Sequence, residues 1–339
     1  MALLASLGHQ VRLLSVLPVI VACVVASLFA PLLEVFVGPP KPLDADLRGK
    51  TALVTGATSG VGLATATRLA RMGATVYVAG RDVGRTAAAV AAVEKAAPGR
   101  AVAARLDLLS LASVRACASG APRLDILVLN AGVNANTPTY GHPELDCSLC
   151  FGVNFVAHWL LLTLLLPKLE ATARVVCLSS VTHHKAVPDW SGAPDYAESK
   201  LAMVLLARAL SRGEFGGRRV TGVAVNPGAV NSGIWRHVHR PIKPAFDAIA
   251  GLLFLTPDQG SATSVAAAAA EPAPPLGADG LPRYLAPYWQ PALGPGRYGM
   301  EFSSVFAGSA PCFARLPRDE RGSAAALFAE CARLVAGRP

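Results

Sequence analysis

A glycine-rich segment between an apolar strand and a helix places the strongest constraint on how this chain folds. Residues Thr51–Thr55 form a short apolar run, Gly56-Ala-Thr-Ser-Gly60-Val-Gly62 follows, and apolar residues then recur at helical spacing from Leu63 to Met72. Glycine lets the backbone turn sharply and approach a ligand, and the amides and dipole of a helix N-terminus attract a pyrophosphate. The order strand, glycine turn, helix therefore predicts a βαβ unit that binds a dinucleotide.

The residues after the second strand indicate which dinucleotide binds. We predict this strand over Ala74–Ala79, and Gly80-Arg81-Asp82 follows it, where an NAD site usually carries an acid for the ribose 2′-hydroxyl. The guanidinium of Arg81 suits a 2′-phosphate, whereas Asp82 fits a helix N-cap. Ser59 gives the glycine loop no second basic group. We therefore predict NADP(H) as the preferred cofactor and leave NAD(H) open.

Two further apolar runs extend the sheet. Leu106-Asp107-Leu108 is predicted to end a third strand, which would place a carboxylate where an adenine amino group can donate to it. The run from Asp125 to Leu129 predicts a fourth strand that leads into Asn130-Ala-Gly132. Strands that alternate with helices predict an α/β fold, a doubly wound parallel sheet of Rossmann type in one domain.

A serine and a Tyr–Lys pair are the candidate catalytic groups. The predicted strand Arg174–Leu178 ends at Ser179-Ser180, and Tyr196-Ala-Glu-Ser-Lys200 leads into an apolar helix. Residues four apart share a helix face, and an ammonium beside a phenol is expected to lower the phenol pKa from about 10. Tyr196 would then exchange a proton with an alcohol or carbonyl oxygen that Ser180 hydrogen-bonds. A Tyr-x-x-x-Lys pair alone also arises by chance.

Together with Asn130-Ala-Gly132 and Asn226-Pro-Gly228, these motifs make the chain, from about Arg48 to Glu271, resemble the short-chain dehydrogenase/reductase family. The resemblance implies an active site of Asn154, Ser180, Tyr196 and Lys200, of which Tyr196 and Lys200 also contact the cofactor. It implies cofactor contacts along the whole dinucleotide: Gly56, Ser59, Gly60, Val61 and Gly62 at the phosphates, Arg81 at the 2′-phosphate, Asp107 at adenine, Asn130 at the ribose, and Pro227, Gly228 and Ser232 along the nicotinamide. Leu129 departs from the pattern, since many members carry a second asparagine there.

Three segments resemble the membrane-anchored, retinol dehydrogenase-like members of that family: Phe151-Gly-Val-Asn-Phe-Val-Ala-His158, Ser179-Ser-Val-Thr-His-His184 and Thr256-Pro-Asp-Gln-Gly260. This resemblance implies NADP(H)-dependent interconversion of a lipophilic, isoprenoid-type alcohol (retinol or a polyprenol) and its carbonyl. A steroid or lipid-aldehyde reductase with the same machinery and a non-catalytic nucleotide-binding scaffold are the alternatives. The bulky apolar residues of segment 233–255 suit a substrate loop and an ordinary packed helix equally well.

The N-terminal segment predicts a membrane anchor. No residue from Leu13 to Leu33 is charged, and these 21 residues span about 31 Å as a helix, enough to cross a hydrocarbon core of about 30 Å. A cleaved signal peptide is the alternative, although its apolar region is usually shorter. We expect an anchor over 1–37, a proline-rich linker over 38–47 and the catalytic domain over 48–339, with no second apolar run long enough to span a bilayer. The excess of Lys and Arg behind the anchor orients the domain to the cytosol. We expect the membrane to be that of the endoplasmic reticulum.

The charge and cysteine content of the chain limit the kinds of partner and ligand that it is expected to bind. The net charge is +9, from 31 Lys and Arg against 22 Asp and Glu, but the basic residues are scattered, which argues against nucleic-acid binding and fits weak attraction to an anionic membrane. Seven cysteines at irregular spacing predict free thiols in a reducing compartment rather than a disulfide framework. Cys147-x-x-Cys150 has no second pair, so no metal site is predicted. The family resemblance leaves a homodimer possible.

Overall fold

The computed structural model describes residues 43–134, 141–191, 194–233, 243–270, 281–282, 284–287, 309–312 and 319–338. The predicted anchor over 1–37 and the first half of the linker lie outside these residues. The described chain forms one sheet with helices on both faces, so the predicted α/β architecture is confirmed.

The sheet has eight strands in the order β3-β2-β1-β4-β5-β6-β7-β8. The strands are β1 Thr51–Thr55, β2 Thr75–Gly80, β3 Ala101–Arg105, β4 Leu124–Leu129, β5 Leu169–Leu178, β6 Thr221–Val225, β7 Tyr284–Pro287 and β8 Ser309–Cys312. Seven strands run parallel, and the edge strand β8 is antiparallel to β7, a departure from the expected all-parallel sheet. The strand order reverses direction between β1 and β4, and the carboxyl ends of these two strands open the crevice in which folds of this kind bind ligands.

Helices cover the two faces of the sheet. They are α1 Gly60–Arg71, α2 Val83–Ala96, α3 Leu111–Gly120, α4 Leu149–Lys168, α5 Tyr196–Arg212, α6 Lys243–Leu253, α7 Pro257–Ala269 and α8 Glu320–Val335. Alternate residues of a strand point to opposite faces. Leu53 of β1 therefore belongs to the apolar cluster that includes residues of α3, α4, α5 and α8, whereas its neighbours Ala52 and Val54 belong to the cluster with α1, α2 and α7.

Two predicted boundaries were wrong. Helix α1 begins at Gly60 rather than Leu63, because Gly60 and Gly62 have no side chain to contribute to the apolar pattern. Strand β3 ends at Arg105, so Asp107 lies beyond the strand, where its Oδ1 accepts the amide of Leu109 at 3.1 Å and closes a turn.

Helix α4 corrects the expectation that no second apolar run could span a bilayer. Leu149–Lys168 is 20 residues long with a mean hydropathy of 2.0, which is sufficient by length and composition. Most of it is buried, and side chains such as Phe155, Leu161 and Leu165 lie fully inside the protein. Its apolar character is therefore that of a core helix in a parallel α/β domain. The helix also contains a π-turn over Gly152–Val156.

Helix α8 is fastened to the outside of α5. Glu320 lies 2.7 Å from both Arg208 Nε and Arg212 Nη1, and the indole of Trp190 donates to the carbonyl of Ser323 at 3.0 Å. Leu327 is fully buried against α5 and its neighbours. The helix that begins with Tyr196 is thus held from both sides, by the sheet and by α8.

Candidate active site

The glycine turn between β1 and α1 is packed too closely for side chains. Gly56 and Gly60 adopt left-handed backbone, with φ of +65° and +57°, which glycine tolerates at no steric cost. A Cβ on Gly62 would lie 2.5 Å from both the carbonyl oxygen of Gly56 and Nδ2 of Asn130. The residues that follow the carboxyl ends of β1 and β4 therefore pack against the first turn of α1.

The N-terminus of α1 fits the phosphates of a dinucleotide. The first amides of a helix have no partner within it, and in the described chain the N-cap residue Ser59 makes no side-chain capping bond to them. Among the described residues, a Cβ on Gly60 would meet Ser232 alone, at 3.5 Å, which leaves the approach to these amides uncrowded by that part of the chain. Buried Val61 fixes the helix to the sheet. Uncapped amides, a positive dipole end and a glycine-lined approach suit a pyrophosphate.

The end of β2 carries a feature that the sequence analysis missed. A Cβ on Gly80 would collide with the side chains of Thr58 and Thr86, so an acidic residue cannot be placed there without rearrangement. Arg81 is exposed beside it, and Asp82 caps α2 as predicted, accepting the Arg85 amide at 2.7 Å. The Arg85 side chain reaches back to within 3.4 Å of Ser59 Oγ. This second guanidinium stands one helical turn after Arg81, a spacing that could have identified it.

Asp107 and Asn130 lie on either side of the glycine turn. Asp107 is half-buried just beyond β3. Asn130 donates from Nδ2 to the carbonyl of Thr55 at 2.7 Å, and its backbone amide donates to Thr55 Oγ1 at 2.9 Å. Asn130 therefore holds the turn in shape, which is compatible with a neighbouring ribose but is first of all a structural contact.

Ser180, Tyr196 and Lys200 come together at the carboxyl end of β5. Lys200 is almost fully buried, its Nζ donates to the carbonyl of Leu178 at 3.2 Å, and it lies 5.4 Å from the centre of the Tyr196 ring. Ser180 begins a short 3-10 helix, Val181–Lys185, and hydrogen-bonds the Tyr196 hydroxyl. The sequence spacing therefore does correspond to one spatial cluster.

The expected direction of the Tyr196 pKa shift was wrong. Enclosure by protein raises the pKa of Tyr196 to about 12, because the phenolate loses solvation, and the Ser180 hydrogen bond only partly opposes this. Burial lowers the pKa of Lys200 to about 8 for the corresponding reason. Desolvation is the largest cause of both shifts, so the protein alone holds Tyr196 as a neutral proton donor.

Asn154 lies in the π-turn, and both the oxygen and the nitrogen of its side-chain amide form hydrogen bonds. Its Oδ1 accepts the amide of Val133 at 2.7 Å, and its Nδ2 donates to the carbonyl of Val133 at 2.9 Å and to Ser199 Oγ at 3.1 Å. A Cβ on Gly132 would lie 3.3 Å from Asn154 Oδ1 and 3.5 Å from Lys200 Nζ. The loop after β4 thus lies close to both residues, and a Cβ at position 132 would make a tight contact with Asn154 Oδ1.

The loop after β6 closes over the glycine turn. Gly228 has φ of +86°, and its amide donates to Oδ1 of Asn226 at 3.0 Å, which turns the chain after half-buried Pro227. The same loop brings Ser232 beside Gly60. In the predicted substrate segment 233–255, helix α6 covers Lys243–Leu253, whereas 234–242 lies outside the described residues.

Comparison with known proteins agrees with this geometry. Residues 50–242 match the model of the short chain dehydrogenase family. The chain is 40% identical to dehydrogenase/reductase SDR family member 13 of Bos taurus over 70% of this chain and 67% of that protein. It is 38% identical to polyprenol dehydrogenase of Mus musculus (68% and 73%) and 36% identical to mouse retinol dehydrogenase 14 (65% and 73%).

Solved structures show the same architecture. A protein from Mycobacterium paratuberculosis aligns with a TM-score of 0.63 and 28% identity, covering 87% of this chain and 97% of its own. The angucycline C-6 ketoreductase LanV, solved with bound NADP, aligns with a TM-score of 0.52 and 27% identity, covering 67% and 91%.

Proposed function

The chain belongs to the short-chain dehydrogenase/reductase family, and we propose that it interconverts a lipophilic, isoprenoid-type alcohol and its carbonyl with NADP(H). The observation that carries the proposal is the meeting of Ser180, Tyr196 and Lys200 at the carboxyl end of β5, next to a glycine turn that suits a dinucleotide phosphate. NADP(H), when bound, supplies or takes up the hydride. The protein groups supply or take up the matching proton.

We assign the proton to the Tyr196 hydroxyl. In carbonyl reduction, Tyr196 donates its proton to the substrate oxygen as the carbon receives hydride, and Ser180 orients that oxygen by a hydrogen bond. A pKa near 12 keeps Tyr196 protonated at neutral pH, and a pKa near 8 keeps Lys200 mainly charged there, ready to stabilise the phenolate that forms. In alcohol oxidation the same proton moves in the opposite direction. Asn154 holds the loop after β4 against Lys200.

The preference for NADP(H) over NAD(H) rests on the end of β2. Gly80 leaves no room for the acid that would bind a ribose 2′-hydroxyl. Exposed Arg81 follows it, and the Arg85 guanidinium lies 3.4 Å from Ser59 Oγ in the glycine turn. Two cations suit a 2′-phosphate, since guanidinium forms paired hydrogen bonds to phosphate oxygens. We place Gly56, Ser59, Gly60, Val61 and Gly62 at the pyrophosphate, Asp107 at adenine, Asn130 at the ribose, and Pro227, Gly228 and Ser232 at the nicotinamide.

The substrate class follows from the relatives named for retinol and polyprenol. Such long apolar alcohols reside in bilayers, and we propose that the segment 1–37 anchors the domain in the endoplasmic reticulum membrane, facing the cytosol. Because the first cofactor strand begins only at Thr51, deletion of 1–37 should release the protein from membranes and leave NADPH binding intact. A deleted protein that still pelleted with salt-washed membranes would contradict the anchor.

The decisive experiment is cofactor-dependent turnover by the detergent-solubilised full chain. All-trans-retinal, a polyprenal and a steroid ketone should each be offered with NADPH and with NADH, and Tyr196→Phe should serve as the matched inactive control. We expect NADPH-dependent reduction of the isoprenoid aldehydes that Tyr196→Phe largely abolishes. Reduction of the steroid alone would favour the steroid reductase. Tight NADPH binding without turnover of any carbonyl would favour the scaffold and contradict the proposal.

A further inference from the structure

A buried histidine connects the cofactor strand to the π-turn. His158 lies in α4, one turn after Asn154, and is fully buried. Its Nε2 is 2.9 Å from Thr55 Oγ1 at the end of β1, and its Nδ1 is 2.9 Å from the backbone carbonyl oxygen of Asn154. The ring therefore spans the gap between the sheet and the helix directly beneath the candidate active site.

The partners of the ring determine its protonation. The carbonyl of Asn154 can only accept, so Nδ1 must carry the proton and donate it. Thr55 Oγ1 already accepts the amides of Asn130 at 2.9 Å and Ala131 at 3.0 Å, which leaves its own hydrogen to donate. His158 Nε2 at 2.9 Å is a closer acceptor for that hydrogen than the carbonyl of Val128 at 3.3 Å. A neutral imidazole with the proton on Nδ1 therefore satisfies every group.

The electrostatic surroundings support the neutral form. Burial lowers the pKa of His158 to about 4, and the positive charge of Lys200 acts in the same direction. A neutral ring donates in one direction only, from Thr55 through His158 to Asn154. The hydrogen bonds thus form an ordered chain rather than a set of interchangeable contacts.

The hydrogen bonds of His158 end in the π-turn of α4, where the helix is irregular. In the π-turn the Ala157 amide bonds to the carbonyl of Gly152, five residues back, instead of four. π-turns are rare and occur frequently at functional sites. The His158 side chain supplies an additional donor to the Asn154 carbonyl in this turn, and the same Thr55 hydroxyl holds the loop that presses Gly132 toward Asn154 and Lys200.

We propose that His158 is a positioning residue, whose Nδ1–H holds the π-turn so that Asn154 and the loop after β4 keep Lys200 and Tyr196 in their working arrangement. This inference rests on the proposed oxidoreductase function. It assigns no contact between His158 and substrate or cofactor. Its effect should therefore appear in kcat, with little change in substrate KM or in the dissociation constant for NADPH.

The test compares two amide substitutions in the full chain. His158→Asn places an amide nitrogen near the position of Nδ1 and keeps the donor to Asn154, whereas His158→Gln places its amide near Nε2 and keeps only the Thr55 contact. With all-trans-retinal and NADPH, we expect His158→Asn to retain most of wild-type kcat and His158→Gln to lose about 10- to 100-fold, the effect of a displacement near 1 Å. KM and the NADPH dissociation constant should stay within about threefold in both.

Thr55 provides the matched pair at the other end of the chain of bonds. Thr55→Ser keeps the hydroxyl and should preserve kcat, whereas Thr55→Val should lose it. Thr55→Val also removes the acceptor of the Asn130 and Ala131 amides. The fold-loss of kcat in the double variant Thr55→Val/His158→Gln should therefore be clearly smaller than the product of the two single fold-losses, because the two substitutions share one chain of bonds. Equal kcat in His158→Asn and His158→Gln, or a fold-loss in the double variant equal to that product, would overturn the proposal.

Hydrogen exchange separates this inference from the proposed function. In the wild-type chain and both His158 variants, exchange of the peptide over 149–160 is measured without substrate. Faster exchange in His158→Gln than in His158→Asn supports the positioning role even if retinal is not turned over, an outcome that would reject only the retinal activity. Equal exchange in the two variants contradicts the positioning role whatever the turnover.

Discussion

Replacing Gly62 with alanine tests the packing of the glycine turn most directly. The new Cβ would lie 2.5 Å from Asn130 Nδ2 and from the Gly56 carbonyl oxygen, whereas ordinary contact begins at 3.4 Å. To relieve these two clashes, the neighbouring atoms must shift by almost an ångström. Overpacking of this kind typically lowers the free energy of unfolding by about 1–3 kcal/mol. Displacement of Asn130 also weakens its bond to Thr55, worth about 1 kcal/mol, while alanine in a helix recovers about 0.5–1 kcal/mol.

The net destabilisation of Gly62→Ala is therefore about 2 kcal/mol. For a domain of this size, 1 kcal/mol corresponds to about 2–4 °C, so Tm should fall by about 4–8 °C in a thermal melt. NADPH binding, followed by fluorescence titration, should weaken by at least tenfold, because the displaced groups shape the phosphate site.

Gly84 provides the control. It also lies in the first turn of a helix, but a Cβ there would lie 3.5 Å from Asp82 Oδ1, an ordinary contact. Gly84→Ala should leave NADPH binding unchanged and keep Tm equal or raise it slightly. A Gly62→Ala protein that melts and binds NADPH like Gly84→Ala would refute the packing described for this turn.

Three further predictions concern the site. Tyr196→Phe should reduce kcat by about 10²–10⁴-fold while the protein still binds NADPH, and near-normal turnover would contradict the proton assignment. Arg81→Asp should weaken NADPH much more than NADH in fluorescence titrations, whereas equal weakening would show a packing role. His158 should make the wild type acid-sensitive, because its folded pKa of about 4 lies below the unfolded value of 6.5, so the unfolded chain binds the proton first as pH falls. The free energy of urea unfolding should therefore drop by about 2 kcal/mol more in the wild type than in His158→Gln between pH 6.5 and 5, and parallel curves would contradict it.

Local patterns were sufficient to predict most of the elements that surround the site. The glycine turn, the Asp82 cap and the helix that begins at Tyr196 each depend on residues close together in sequence, and the structure has all three. The pKa direction at Tyr196 could not be predicted, since it depends on how much protein encloses the phenol rather than on its nearest charge. The spacing of Arg85 from Arg81 could have identified this second guanidinium, but its contact with Ser59, 26 positions away, could not be predicted from a local pattern.

A one-residue deletion in the π-turn should affect the proposed activity far more than the fold. A wide turn holds one residue more than a regular helix needs, so the loss of a single codon within 152–156 would let α4 relax into a regular helix while both flanks keep their buried faces. The residues between the flanks would rotate by about 100°, the angle per residue of an α-helix, and Asn154 would turn away from the loop after β4. We therefore expect such a deletion to leave a folded protein that has lost the proposed activity. Measurements of protein abundance alone would not detect that loss.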